Sequence, residues 1–193
     1  MEKQPSRWTG FYESTKELPP HELLVQALEL VSEREAALDL GAGAMRDTKL
    51  LLKAGFEKVV AVDAEQINQQ NEISDGRLEI VVEPFESYEF PENSFDLVNA
   101  QFSLPFTSPE SFENVFKKLQ TSLKKGGIFV GQFFGKNDEW RGNPKMTFHS
   151  LEEAQQLLSK MEILKIEEKE QDGSTAAGTP KHWHVFHITA RKQ

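Results

Sequence analysis

The sequence predicts an α/β protein built as a three-layer sandwich around a mostly parallel seven-stranded sheet. Three observations predict it. Helix-period and strand-like segments alternate through five units. Strand-like runs such as "KVVAVD" are continuously apolar, the pattern of parallel strands covered on both faces. The last two runs, "ILKIEEKEQ" and "HWHVFHITAR", have no helix between them, so they are expected to close the sheet as an antiparallel hairpin.

The elements follow in order. Residues 1–19 are polar with isolated aromatics, Trp8, Phe11 and Tyr12. They are too sparse for a core element and read as a lid or a flexible segment. Pro19-Pro20 suits a helix start, and Leu24, Ala27, Leu28 and Val31 then recur at helical spacing. "AALDL" is the first strand. Leu50, Leu51 and Ala54 give the next helix an apolar face, and Gly55 suits its stop. "KVVAVD" is the second strand, "AEQINQQNEIS" a weaker helix, and "RLEIVV" the third strand. "SFDLVNAQ" is the fourth. Ser108 can cap a helix with Pro109 in its first position, and Phe112, Val115, Phe116, Leu119 and Leu123 form its stripe. Gly126-Gly127 is expected to end that helix before a fifth strand, "IFVGQFF". A polar loop follows, and Ser150 with Glu153 has capping-box spacing before a last helix.

Bulk properties narrow the function. The chain has 193 residues, of which 38% are hydrophobic, enough for a single domain over residues 1–193. A formal charge of -9 argues against non-specific nucleic-acid or membrane-surface binding, which needs a cationic face. With no cysteine, disulfides, thiolate catalysis and cysteine-ligated zinc are excluded. The N-terminal residues lack the apolar core of a signal peptide, and no apolar run is long enough to span a bilayer. The expectation is a cytoplasmic protein.

The chemistry centres on "LDLGAGAMRDTKLLLKAGF", Leu38 to Phe56, which reads as strand, glycine turn and helix. Gly41 and Gly43 let backbone approach a ligand closely, and the helix start offers free N–H groups. The third glycine of the dinucleotide pattern is replaced by Arg46. Asp39 would repel a pyrophosphate and attract an ammonium. Both features argue against a dinucleotide. Asp63 ends the second strand, where a carboxylate can accept hydrogen bonds from both ribose hydroxyls of NAD or of S-adenosylmethionine, but would repel the 2′-phosphate of NADP. Phe85 and Glu86, in the loop after the third strand, suit an adenine: the ring to pack on it, the carboxylate to take its amino group.

The ordered set "ALDLGAGAMRDTKLLLKAG…VVAVDAE…FPENSFDLVNAQFSL…LKKGGIFV" resembles the class I S-adenosylmethionine-dependent methyltransferases over about residues 20–135. Within that class it is most similar to the tellurite-resistance methyltransferase branch, on Pro20-His21 and the compact chain. The resemblance implies a Rossmann-like fold and S-adenosylmethionine as cofactor. It implies that Asp39, Gly41, Ala42 and Gly43 line the methionine end, that Asp63 and Ala64 hold the ribose and that Phe85 and Glu86 hold the adenine. Gln101 would reach the methionine moiety or the substrate. The branch's C-terminal basic residues have no match in "GTPKHWHVF", so its oxyanion substrate is not carried over. Met45 stands where the family prefers glycine, and the pocket is expected to depart from the family there.

Methyl transfer from a sulfonium needs alignment and exclusion of water more than a base. The candidates near the methyl group are Tyr12, His21, Gln101, Phe102, Trp140 and Arg141. In "HWHVFH", His182 and His184 share a strand face and His187 takes the other. Zinc needs a third ligand that nothing in the sequence supplies, so exposed strand histidines are the plainer reading and no metal is expected. The acceptor is expected to be a small molecule rather than nucleic acid, with a basic protein as a second option. Two rival readings stay open: an NAD-dependent oxidoreductase, and a binding protein that retains the fold without turnover.

Overall fold

The computed structural model describes residues 8–66 and 73–193. The chain runs through α1 (Thr9–Thr15), α2 (Glu22–Ala27), β1 (Ala36–Leu40), α3 (Arg46–Lys53), β2 (Lys58–Asp63) and β3 (Leu78–Val82). It continues through β4 (Phe95–Ala100), α4 (Pro109–Ser122), β5 (Leu123–Gly135), β6 (Phe148–His149), α5 (Leu151–Leu157), β7 (Met161–Ser174) and β8 (Pro180–Lys192). The helix expected over 64–74 falls mainly on residues 67–72, outside the described residues.

The strand order is β3-β2-β1-β4-β5-β8-β7, with β6 added beside β5. Strands β1 to β5 pair in parallel, and β8 lies antiparallel to both β5 and β7. This is the Rossmann-like arrangement with a terminal hairpin that the alternation predicts. Strand β6 escaped prediction because two residues carry no periodicity.

The sheet separates two cores, and side-chain alternation decides which residue enters which. Leu38, Leu40, Val98, Ala100, Phe129 and Phe133 meet α4 and α5, through Phe112, Phe116 and Leu158. Ala37, Val59, Leu97, Ile128 and Val130 meet α2 and α3, through Leu24, Leu51 and Leu52. The capping box at α5 is formed: Glu153 N–H donates to Ser150 Oγ, and the Glu153 carboxylate accepts from Ser150 N–H at 2.8 Å.

Three expectations need correction. Gly126-Gly127 lies inside β5 and does not end α4, which stops at Ser122. The glycines accommodate an irregularity: Phe95 pairs with Leu123, but Leu97 pairs with Ile128. A Cβ on Gly127 would sit 2.9 Å from the carbonyl oxygens of Phe95 and Lys124. Pro19-Pro20 precedes α2 and is not its first turn; His21 is the extended N-cap residue, its N–H taken by Asp47 Oδ1 at 2.9 Å. The segment around Trp8, Phe11 and Tyr12 contains a helix, α1, of seven residues.

Candidate active site

The face that is apolar over α2 and α3 turns polar at the carboxyl ends of the strands. Beyond Ala37 on β1 comes Asp39, and beyond Leu97 on β4 come Asn99 and Gln101. Beyond Val130 on β5 comes Gln132, paired in register with His187 on β8. Asp39 is likewise in register with Asn99. These five side chains form a continuous row across four strands, buried from Asp39 to Gln132 and half-buried at His187. Asn99 Nδ2 donates to Asp39 Oδ1 at 2.8 Å, and Gln101 Nε2 donates to Asn99 Oδ1 at 2.8 Å. Gln132 Nε2 donates to Gln101 Oε1 at 2.6 Å and faces His187 Nδ1 at 3.5 Å. Gln132 Oε1 accepts from Phe102 N–H at 2.8 Å, which fixes which way its amide points.

Asp39, Gln101 and His187 of this row line a cavity of about 640 Å³, with Asn99 and Gln132 bonded behind them. At one end lies the glycine turn. Gly41 has φ +82° and takes no Cβ, because one there would meet Ser103 Cβ at 2.3 Å. Gly43 N–H donates to Asp63 Oδ2 at 2.9 Å, tying the turn to the end of β2. Asp63 Oδ1 accepts from Glu65 N–H and, at 3.1 Å, from the Tyr12 hydroxyl. Burial raises the Asp63 carboxyl against these stabilising bonds. The same burial, with Asp63 and Glu65 beside it, raises the Tyr12 phenol.

Asp39 is buried and accepts from Thr48 Oγ1 and Asn99. Burial, and the neighbouring Asp47 after it, pushes its carboxyl up to about 7. Asp47 suffers the same burial, but His21 outweighs it: the imidazole Nδ1 lies 2.7 Å from Oδ2, and Asp47 is held below the usual range. Arg46 donates to Pro19 O at 3.1 Å and contacts the His21 ring. Two adjacent carboxyls are thus driven apart, one toward its neutral form and one toward its anion.

Phe85 stands at a turn closed by Tyr88 N–H to Pro84 O at 3.1 Å. Its ring edge lies 3.4 Å from where a Gly41 Cβ would be, so the loop after β3 and the glycine turn share one wall. The other end of the cavity is aromatic. Phe102, Phe106, Phe134, Trp140 and Trp183 surround it, with centroid separations such as 5.6 Å for Trp140 and Trp183 and 6.0 Å for Phe102 and Trp183.

All nine residues expected at the cofactor line this one cavity: Asp39, Gly41, Ala42, Gly43, Asp63, Ala64, Phe85, Glu86 and Gln101. The Gln101 amide, however, is already engaged by Asn99 and Gln132. Of the candidates near the methyl group, Tyr12, His21, Phe102 and Trp140 line the cavity. Arg141 stays outside its lining, exposed in the turn Glu139–Gly142. Met45 stays outside it as well. Its φ is 64°, the left-handed conformation that suits glycine, and its side chain is buried against Ala42, Ala61 and Ile80. The departure expected at Met45 therefore falls in the core beneath the turn.

Sequence reasoning missed Asn99 and Gln132 as parts of the site, although a polar residue inside an apolar strand run was a usable signal. It missed Thr48 and Asp47, which look like ordinary helix residues. It considered His187 only beside His182 and His184. The structure separates them: His187 lines the cavity, His184 pairs with Glu168 at 2.7 Å, and His182 with Asp172 at 2.7 Å. Among the described residues no three His, Cys, Asp or Glu side chains converge as metal ligands.

Comparison with known proteins fits this geometry. Residues 38–131 match the family model described as a methyltransferase domain. The first solved structure to set beside the chain is TehB from Haemophilus influenzae, with a TM-score of 0.77 at 17% identity. That match covers 95% of this chain but only 66% of TehB. The 1,6-didemethyltoxoflavin-N1-methyltransferase of Burkholderia thailandensis, solved with 1,6-didemethyltoxoflavin and S-adenosylhomocysteine, matches with a TM-score of 0.66 at 17% identity, covering 100% of this chain and 93% of that one. A complex between a Haloferax volcanii methyltransferase activator and a methyltransferase gives a TM-score of 0.75 at 15% identity, covering 98% of this chain and 99% of that one. No curated protein matches the sequence. Fold and site thus define a Rossmann-like protein with a strand-end ligand cavity. Residues 38–131 thus carry the methyltransferase-domain pattern, and the fold around them is shared with solved S-adenosylmethionine-dependent methyltransferases, in line with the first of the three readings the sequence leaves open.

Proposed function

We propose that the protein transfers the methyl group of S-adenosylmethionine to a small-molecule acceptor by in-line displacement. One observation carries this reading: a single cavity joins the glycine-turn carboxylates to an aromatic chamber. The donor set fits the cofactor. Asp39, Asp47 and Asp63 face the turn, which suits hydroxyl and ammonium groups and repels a pyrophosphate. When bound, S-adenosylmethionine supplies a methyl group on a cationic sulfur, an excellent leaving group. Asp63 accepts the ribose hydroxyls, with Ala64 beside it. Phe85 packs on the adenine and Glu86 accepts from its amino group. Asp39 and the Gly41–Gly43 backbone hold the methionine end. Tyr12 and the rest of α1 act as a lid that excludes water. The aromatic chamber would hold the acceptor in line with the methyl group that the cofactor supplies. The bound small acceptor of the B. thailandensis enzyme supports a small molecule here.

Calorimetry with S-adenosylmethionine, S-adenosylhomocysteine and NAD tests the cofactor. Binding of both sulfur compounds without NAD is expected. NAD binding alone would refute the proposal.

A further inference from the structure

We infer that the methyl acceptor is an uncharged aromatic or heteroaromatic molecule, stacked in the chamber and read by His187 Nε2. This rests on the function proposed above and adds the class of substrate.

The argument begins with charge. The cations lining the cavity, among the described residues, are Arg46 and Lys169. Arg46 is committed to Pro19 O and His21. Lys169 is half exposed and pairs with Glu167 at 3.2 Å. An anionic acceptor would face four lining carboxylates, Asp39, Asp47, Asp63 and Glu86, against two cations that already have partners. The chamber does not suit an oxyanion.

An aromatic cage often takes a cation, but here that role is filled from behind. Lys181 Nζ is buried, bonded to Asp138, and lies 3.7 Å from the Trp183 centroid and 4.4 Å from that of Trp140. A cationic acceptor would meet that charge through the same rings and the cofactor's sulfonium in front. The walls are left to neutral rings, which gain from offset and edge-on packing with indole and phenyl groups.

Polar reading is sparse, as a specific apolar site requires. Gln132 Nε2 faces His187 Nδ1 at 3.5 Å, an approach that suits an accepting Nδ1 and a proton on Nε2. Nε2 has no hydrogen-bond partner among the described residues, and His187 lines the cavity. Burial and Lys169 both disfavour a charged imidazole. The neutral ring therefore offers one N–H to a carbonyl oxygen or ring nitrogen.

The chain contains three tryptophans, Trp8, Trp140 and Trp183, and all three line this cavity. Indole fluorescence is therefore a direct reporter. The test loads the full chain with S-adenosylhomocysteine, verified by calorimetry, and titrates quinazolin-4-one, quinolin-2-one, selenite and choline. Saturable quenching by the two bicyclic probes and none by selenite or choline is expected. His187→Phe should weaken the bicyclic probes about tenfold, and His187→Gln, which restores an N–H, less than threefold. Both variants should keep wild-type affinity for S-adenosylhomocysteine. If the loaded protein ignores both bicyclic probes, or binds selenite or choline as well, the acceptor class is wrong while the methyltransferase reading stands. If S-adenosylhomocysteine itself fails to bind, both readings fall. Equal losses in His187→Phe and His187→Gln would remove the N–H contact.

Discussion

The hydroxyl of Tyr12 donates to Asp63 across 3.1 Å, joining α1 to the end of β2 at the carboxylate proposed for the ribose. The ribose and the phenol therefore compete for one oxygen. Tyr12→Phe keeps the ring over Gly43 and removes the competitor. Cofactor binding should tighten by about 0.5–1.5 kcal/mol, the net worth of one hydrogen bond, measured by calorimetry with S-adenosylhomocysteine. Weaker binding would mean that the hydroxyl helps hold the cofactor.

Removing the carboxylate acts the other way. Asp63→Ala should weaken cofactor binding by about 1.5–3 kcal/mol, from loss of hydrogen bonds to a charged acceptor. The same variant frees Gly43 N–H and the Tyr12 hydroxyl. Protease cleavage near Tyr12 should then become faster in the absence of cofactor. Unchanged affinity would show that the ribose is held elsewhere.

Asp39 makes the site sensitive to pH. Its carboxyl is raised to about 7 by burial and by Asp47. The folded state thus holds a proton that the unfolded chain has released, from the ordinary carboxylate range up to about pH 7. Its contribution to stability is present at the acid end of that window and is lost as pH rises through it. An ammonium ligand favours the ionised form, so cofactor binding at about pH 6 should expel part of a proton. Calorimetry in buffers of different ionisation enthalpy measures this directly. Asp39→Asn should abolish the buffer dependence; its absence in the wild type would contradict the assignment.

Met45→Gly sets two effects against each other. Glycine relieves a left-handed backbone costing about 1–2 kcal/mol. It also deletes a fully buried side chain, a loss of about 2–5 kcal/mol on the scale of methionine-to-alanine changes. Burial outweighs strain at the middle of both ranges, and the variant should be less stable by up to about 4 kcal/mol in urea denaturation. Cofactor affinity should change less than twofold, because the side chain faces Ala61 and Ile80. A large affinity change at unchanged stability would reverse this account.

The fold was legible because its signals are local. Continuous apolar runs marked the parallel strands, Ser150 and Glu153 marked a cap, and Gly55 marked a stop. Gly126-Gly127 misled because a glycine pair serves a helix end and a strand irregularity equally well; only the carbonyls of Phe95 and Lys124 decide between them. The glycine-turn end of the cavity was legible too, since Asp39, Gly41, Gly43 and Asp63 lie close to strand ends that the sequence locates. The acceptor end was not. Phe102, Phe134 and Trp183 come from three distant segments, and Gln132 meets His187 only because β8 inserts between β5 and β7.

That insertion divides responsibility along the chain. The family match stops at residue 131, one position before Gln132. Trp8, Phe134, Trp140, Trp183 and His187 all lie outside it, whereas Asp39, Gly43 and Asp63 lie within. A lineage could redraw the hairpin and the first helix freely, acquiring a new acceptor while inheriting its methyl donor unchanged. Relatives with the same glycine turn are then poor guides to the acceptor proposed for this chain, and relatives with the same β8 would be good ones.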